Sequence, residues 1–218
     1  MKNINRVLIF GEIVVDQHKN YNVIAGAPLH VAVHLKNKKI EPCLCSAVGL
    51  DNHGKKILSF LDKKKIKKKF IDIKTNLKTG KSKVNKIKNS NHFKIENYNA
   101  WDEINKIPNF TPYLLYTSSI VARSKITLSS LNKIMERNIN FIFFDLNLRE
   151  PFINYKFIAL MLEKKATHLK FSKEEYIFIN KKFKNKFTID NLFKININLN
   201  YIAITDGRNG SKIFLKNN

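Results

Sequence analysis

Residues able to hold hydroxyl and phosphate groups recur at the ends of short apolar runs in this chain. Glu12 and Asp16 follow RVLIF (6–10), and Gly49 and Asp51 close and follow CLCSAVG (43–49). Asp145, Asn147 and Arg149 end NFIFFDLN (140–147), Ser172 and Glu175 follow THLKF (167–171), and Thr205, Asp206 and Gly207 end NYIAITD (200–206). Carboxylates and side-chain amides accept or donate hydrogen bonds to hydroxyls. A guanidinium fork grips phosphate or carboxylate with two parallel bonds. Arg149 is therefore the strongest single phosphate or substrate contact in a chain that has Arg only at 6, 123, 137, 149 and 208.

Each of these residues also has a plain structural reading. Asp16 suits a turn or a cap, and Asp145, Asn147 and Arg149 suit a tie from a strand end to the next helix. Glu174 and Glu175 suit a first helical turn, where acids are favoured. Gly207 and Gly210 suit a hairpin. His30 and His34 stand four apart on a helix, but with no H-E-x-x-H pattern and no third ligand they read as packing and polar contacts. Cys43 and Cys45 alternate on a strand and read as buried or half-buried thiols, too close for an ordinary disulfide and consistent with a reducing, cytoplasmic setting. Trp101, Ile104 and Ile107 form a core-facing stripe.

The elements that would position these residues alternate. Strand signals at 6–10, 43–49, 113–119, 140–147, 167–171, 200–206 and 211–216 are separated by helical signals at 28–38, 53–64, 124–137, 153–164, 173–183 and 188–195. Segments 70–74, 80–87 and 92–98 break the rhythm as a small β excursion. This order implies a doubly wound α/β fold, a mostly parallel sheet with helices on both faces, in one continuous domain over 1–218. In such sheets ligands bind beyond the carboxyl ends of the strands, where the polar residues above fall. No apolar run reaches the roughly 20 residues of a membrane span, and the start reads as a first strand rather than a signal peptide.

The charge is extreme: 40 Lys+Arg against 17 Asp+Glu give +23 over 218 residues. Clustered cations favour nucleic acid through counterion release. Here, however, all but five of the basic residues are Lys, so base-reading guanidinium groups are scarce. Lys, Asn, Ile, Phe and Tyr are enriched together, as codon drift toward A and T would produce. Binding of RNA through the lysine surface, KKKIKKK (63–69) included, ranks below a solvated-surface reading.

Taken in order, several stretches resemble the PfkB, or ribokinase-like, carbohydrate kinases. FGEIVVD (10–16) resembles the first strand and its sugar-contacting Asp, here Asp16. AGAPLHVAVHL (25–35) is similar to the Gly-Gly-Ala-Pro sugar loop and helix, and VGLDNHGKKIL (48–58) to the Val-Gly-x-Asp-x-x-Gly helix start. TGKSKV (79–84) and FKIENYNAWDEI (93–104) resemble a lid and the segment after it. FFDLNLREPF (143–152) resembles Asp-x-Asn-x-Arg, LKFSKEE (169–175) Lys-x-Asn-x-x-Glu, and ITDGRNGS (204–211) Thr-x-Gly-x-x-Gly.

The resemblance implies a fructokinase-like enzyme moving the γ-phosphoryl of ATP to a sugar hydroxyl with Mg2+. It implies Asp16, Gly26, His30 and Arg149 at the sugar, with Asp51 and Gly54 shaping the floor. Asn147, Ser172, Glu175, Thr205, Gly207 and Gly210 would lie at nucleotide and phosphate, Glu175 also acting indirectly on magnesium. The β lid, expected around 13–25 and 70–98, would also be the surface for any homodimer.

Four departures accompany the resemblance. Ala25 replaces a loop Gly and His30 replaces the helix Asn. Ser172 replaces the segment Asn. The Gly-Ala-Gly-Asp run, which in the family supplies phosphoryl-binding amides and the catalytic Asp, does not occur in the 218 residues. The expectation is a C-terminally truncated kinase sequence with impaired turnover and no catalytic base assigned. The alternative is a non-catalytic sugar-binding or interaction remnant, and the RNA-binding reading stands third.

Overall fold

The computed structural model describes residues 6–87 and 90–216, with the side chains of 86–92 left out of the description. Its elements are β1 (Val7–Phe10), β2 (Val14–Gln17), β3 (Asn22–Ala25), α1 (Ala27–Asn37), β4 (Pro42–Gly49), α2 (Asn52–Lys63) and β5 (Ile71–Lys74). There follow β6 (Lys81–Ile87), β7 (Ser90–Ile95), β8 (Leu114–Ser118), α3 (Lys125–Met135), β9 (Phe141–Asp145) and α4 (Tyr155–Leu160). The chain finishes with β10 (His168–Ser172), α5 (Lys173–Lys182), α6 (Ile189–Ile195), β11 (Tyr201–Thr205) and β12 (Ser211–Leu215).

Eight strands form the main sheet in the order β12-β11-β10-β9-β8-β1-β4-β5. All neighbouring pairs are parallel except β11 with the edge strand β12. The order runs outward from β1 in one direction and from β8 in the other, so the topological switch lies between them. That crevice is where an open α/β sheet accepts a ligand.

Strand alternation explains the two cores. Leu8 and Phe10 face the layer built by α3 to α6 with Leu131, Ile134, Phe157, Ile158, Ile179 and Leu192. Val7 and Ile9 face the opposite layer, where Leu29 and Ala32 of α1 and Ile57 and Leu61 of α2 pack. Both faces of β1 are buried, hence its unbroken apolar run.

A second sheet, β3-β2-β6-β7, is separate from the main one and is formed by most of the segments expected to make the lid. Two expectations are corrected by this topology. Segment 70–74 is not part of the β excursion: β5 pairs in parallel with β4 at the sheet edge, Ser46 opposite Ile71 and Gly49 opposite Lys74. The reason is the connection, since β4, α2 and β5 make a βαβ unit whose lysine-rich turn is anchored by buried Ile66. The helix expected over 153–164 is regular only to Leu160; Met161–Lys165 forms one wide turn closed by the Ala166 amide on the Met161 carbonyl at 2.9 Å.

Among the described residues, no helix is long and apolar enough to cross a membrane.

Candidate active site

The end of β1 turns at Gly11 and delivers Glu12, Ile13 and then β2 into the space above the switch crevice. The strand-to-helix turn at Gly26 is enforced sterically. Its φ is 124°, and a Cβ there would stand 2.4 Å from the Glu12 carbonyl oxygen. Ala25, where the resemblance has a glycine, ends β3 opposite Val14 in ordinary strand pairing, so its methyl costs cleft space rather than backbone strain. Pro28 in the first turn of α1 fixes the helix start, since its missing N–H has no partner to lose there.

Asp16, Gly26, His30 and Arg149 line one cavity of about 230 Å³. Glu12, Asn147, Ser82, Phe93 and Ile95 also border it. Drug-sized pockets span roughly 300–1,000 Å³, so this one suits a smaller ligand of monosaccharide size. The lid supplies one wall: Ser82 stands opposite Asp16 in the β2–β6 register, and the Arg149 guanidinium carbon lies 5.0 Å from the Phe93 ring centroid. Burial pushes the Asp16 carboxyl up, while the charges of His18, Arg149 and His30 pull it down; the net direction is up. His30 is exposed on the first turn of α1 and reaches the rim.

Asn147 is held at φ 38°, a left-handed conformation that Asn tolerates better than most residues. Its amide nitrogen lies 3.4 Å from Glu12 Oε1. Asp145, two residues earlier at the end of β9, accepts from the Tyr116 hydroxyl at 3.0 Å and from Lys170 at 3.0 Å. It anchors β9 to both neighbours instead of facing the cavity.

The remaining assigned residues do not line this cavity. Ser172 caps α5: its hydroxyl accepts from the Glu175 amide at 3.1 Å, while Glu175 Oε2 accepts from the Ser172 amide at 2.7 Å. Glu175 Oε1 accepts from the Leu148 amide at 2.8 Å, which ties α5 to the loop carrying Arg149. Each Glu175 oxygen keeps a second lone pair, so it fits a magnesium ion through an intervening water. Among the described residues, no group of three or more His, Cys, Asp or Glu converges as a metal cluster.

Thr205 sits beside Ser172 in the β10–β11 register, and its hydroxyl donates to the Phe171 carbonyl at 3.3 Å. Gly207 and Gly210 carry φ of 50° and 90° in the turn to β12, with open space where a Cβ would go. The turn therefore needs glycine for its backbone, and nothing packs over it.

Asp51 and Gly54 likewise stand outside the cavity. Asp51 caps α2, accepting from the Gly54 amide, the Thr79 amide and the Thr79 hydroxyl, each at 2.8 Å. Burial alone would raise its carboxyl, but the Thr79 and Gly54 hydrogen bonds hold it below its ordinary value. A Cβ on Gly54 would meet the Gly49 carbonyl oxygen at 2.0 Å. The Val-Gly-x-Asp-x-x-Gly stretch is a clasp joining β4, α2 and the strand leading to the lid.

Two arrangements escaped sequence reasoning. Glu12 was visible only as a strand-end acid, yet it is 5 % exposed and sits between the turn at Gly26–Ala27 and Asn147. Arg123 forms a buried pair with Asp102, Nε to Oδ1 2.6 Å, and its guanidinium carbon lies 3.9 Å from the Trp101 ring centroid. It also donates to the Glu96 carbonyl at 3.0 Å, just after β7, so it roots the lid in the core.

Comparison with known proteins agrees with the fold. An uncharacterised sugar kinase of Pyrococcus horikoshii superposes with TM-score 0.80 at 18% identity, over 97% of this chain and 77% of that one. Fructokinase from Vibrio cholerae O395, solved with fructose, ADP and calcium, gives TM-score 0.80 at 21% identity, over 100% of this chain and 75% of that one. Aminoimidazole riboside kinase from Salmonella enterica gives 0.75 at 18% identity, over 98% and 77%. These likenesses establish a ribokinase-like sugar kinase fold. No curated protein matches the sequence. The sequence matches the pfkB family carbohydrate kinase description over residues 3–218, and the chain belongs to that family.

Proposed function

We propose that this chain carries the carbohydrate-gripping part of an ATP-dependent, fructokinase-like kinase. The observation that carries the reading is the joining of Asp16, Gly26, His30 and Arg149 around one monosaccharide-sized cavity above the switch between β1 and β8. Asp16 accepts hydrogen bonds from ring hydroxyls, and Gly26 lets loop backbone approach the sugar. His30 contacts the rim, and Arg149 sits where charge would arrive during transfer. The lid residues Phe93 and Ile95 exclude water from the bound sugar.

In the proposed reaction a sugar hydroxyl oxygen bonds to the γ-phosphorus of ATP, the bond from that phosphorus to the β–γ bridging oxygen breaks, and ADP leaves. The hydroxyl proton passes to a base. Magnesium would neutralise the phosphate charge, with Glu175 holding it through water. The β10 and β11 ends, with Ser172, Thr205, Gly207 and Gly210, are the proposed nucleotide side.

The family's Gly-Ala-Gly-Asp run, which supplies both the base and the phosphoryl-binding amides, does not occur in the 218 residues. A general base contributes roughly 10²–10⁴-fold and a preorganised anion-hole donor about 10²–10³-fold. We therefore propose that these 218 residues alone bind sugar and turn over little. Calorimetry with fructose beside a coupled ADP-release assay tests this. Binding with negligible ADP release is expected; robust turnover would overturn the impairment, and absence of binding to fructose and other sugars would overturn the carbohydrate reading.

A further inference from the structure

Glu12 is a buried acid at the centre of the cleft that phosphoryl transfer does not employ. Its Oε1 accepts from the Ala27 amide, the first residue of α1, at 3.3 Å and lies 3.4 Å from the Asn147 side-chain nitrogen. Its Oε2 is buried with no hydrogen-bond partner. Its backbone is pinned as well, because only glycine at 26 leaves room for the Glu12 carbonyl. One side chain thus touches both halves of the cleft: the loop and helix that begin at Gly26, and the β9 end that leads to Arg149.

We propose that Glu12 is a positioning residue for the carbohydrate cleft, its carboxyl acting as the spacer that holds the α1 start and the Asn147 turn in register. The proposal rests on the sugar-kinase reading for its ligand, but its geometry does not. A neutral carboxyl and a glutamine amide have the same shape, whereas alanine deletes the spacer.

Burial favours the neutral form up to about pH 7. Burial raises the Glu12 carboxyl to about 7, against the pull of its own backbone amide, Arg149 and the Ala27 amide, with Asp145 pushing further up. The other titratable groups facing it are Asp16 on β2, His30 on α1 and Tyr116 on β8. The Tyr116 phenol is pushed well above its ordinary range, by burial first and then by Asp145 and Glu12, so it stays neutral. Ionised Glu12 would draw Arg149 toward itself and away from a ligand; neutral Glu12 leaves Arg149 free.

The test combines a ligand-free and a ligand-bound measurement on the 218-residue protein. In wild type, NMR should show the Ala27 backbone amide and the Asn147 side-chain amide titrating together with a midpoint near 7. Neither should move in that range in Glu12→Gln. Calorimetry with fructose should show wild-type affinity weakening as pH rises through that midpoint. Glu12→Gln should keep affinity within about threefold of the acid-side wild type and lose the pH dependence, and Glu12→Ala should weaken binding about tenfold or more. The tenfold loss in Glu12→Ala corresponds to one or two hydrogen bonds.

Independent behaviour of the two amides, or Glu12→Gln weakening fructose as much as Glu12→Ala, would overturn the proposal. If wild type binds no sugar, the carbohydrate reading fails and the amide titration alone decides the role of Glu12. If Glu12→Ala does not fold, Glu12→Gln and the titration decide it.

Discussion

Single side chains set the chemistry of this cleft, and several can be removed with defined consequences. Asp16 is the carboxylate closest in kind to a hydroxyl acceptor, and hydrogen bonds to charged groups contribute about 1.5–3 kcal/mol. Asp16→Asn should therefore weaken fructose binding on the order of 10–100-fold while leaving the melting temperature near wild type, as calorimetry and thermal unfolding will show. Gly26→Ala should do broader damage. Its Cβ would overlap the Glu12 carbonyl at 2.4 Å in a backbone with φ 124°, so fold and cleft should fail together.

Glu12 makes stability depend on pH. Its folded value near 7 lies above the ordinary 4.5, so the folded state holds more protons between those values. Stability is then greatest on the acid side of this window and is lost as pH rises from 4.5 to 7, by an amount on the order of 3 kcal/mol for this group alone. Urea titrations at several pH values should show this slope flattened in Glu12→Gln; an unchanged slope would place the buried proton elsewhere. The joining of Asp16 and Arg149 at one cavity was legible from sequence because both belong to motifs that resemble one family. The Glu12 role was not, because its partner Asn147 lies 135 residues away and contact at that range leaves no local pattern.

The elements show the same division between local and distant signals. Helix starts were readable to within a residue from the apolar pattern, at 53, 124 and 173, but the caps Asp51, Ser124 and Ser172, whose side chains accept the amide three residues on, emerge only from the structure. Ser172→Ala should cost about 1 kcal/mol of unfolding free energy through the lost cap, measurable by urea titration. The main strands were readable because strands buried on both faces read as continuous apolar runs. β5 was not, since four residues with one buried side chain look alike in a lid and at a sheet edge. The lid's attachment was equally hidden. Arg123, Asp102 and Trp101 form a buried knot that no periodicity announces, and truncating one partner strands a buried charge. Arg123→Ala should destabilise the protein by about 3–5 kcal/mol and loosen the lid, whereas exposed Lys68→Ala, whose partner Asp62 is also on the surface, should cost under about 1 kcal/mol.

The chain taken together is lopsided in charge and in coverage. The sheet face opposite α3–α6 is roofed by α1 and α2 over β1 and β4, while farther out Phe141, Phe143, His168 and Tyr201 are only half-buried and meet one another mostly edge to face. An apolar hollow of about 440 Å³ between α1 and this face is bordered by Val31, Leu35, Tyr116 and Phe143. The native protein should accordingly bind an apolar fluorescent dye, and the signal should fall when Phe143 is replaced by Lys. The fold class and the placement of the cleft at the switch point follow from strand-helix order, which composition could not conceal. Which aromatic residues stand half-buried on the outer strands does not, because a half-buried strand face reads in sequence like any other alternating strand.

A crystal of the protein grown with fructose is the most direct measurement of the account. It should show one sugar in the cavity between β2, α1 and the β9 end, with a hydroxyl in hydrogen-bond contact with Asp16 and the ring under Phe93. Sugar bound elsewhere, or a cleft left without sugar at saturating fructose and other monosaccharides, would contradict it.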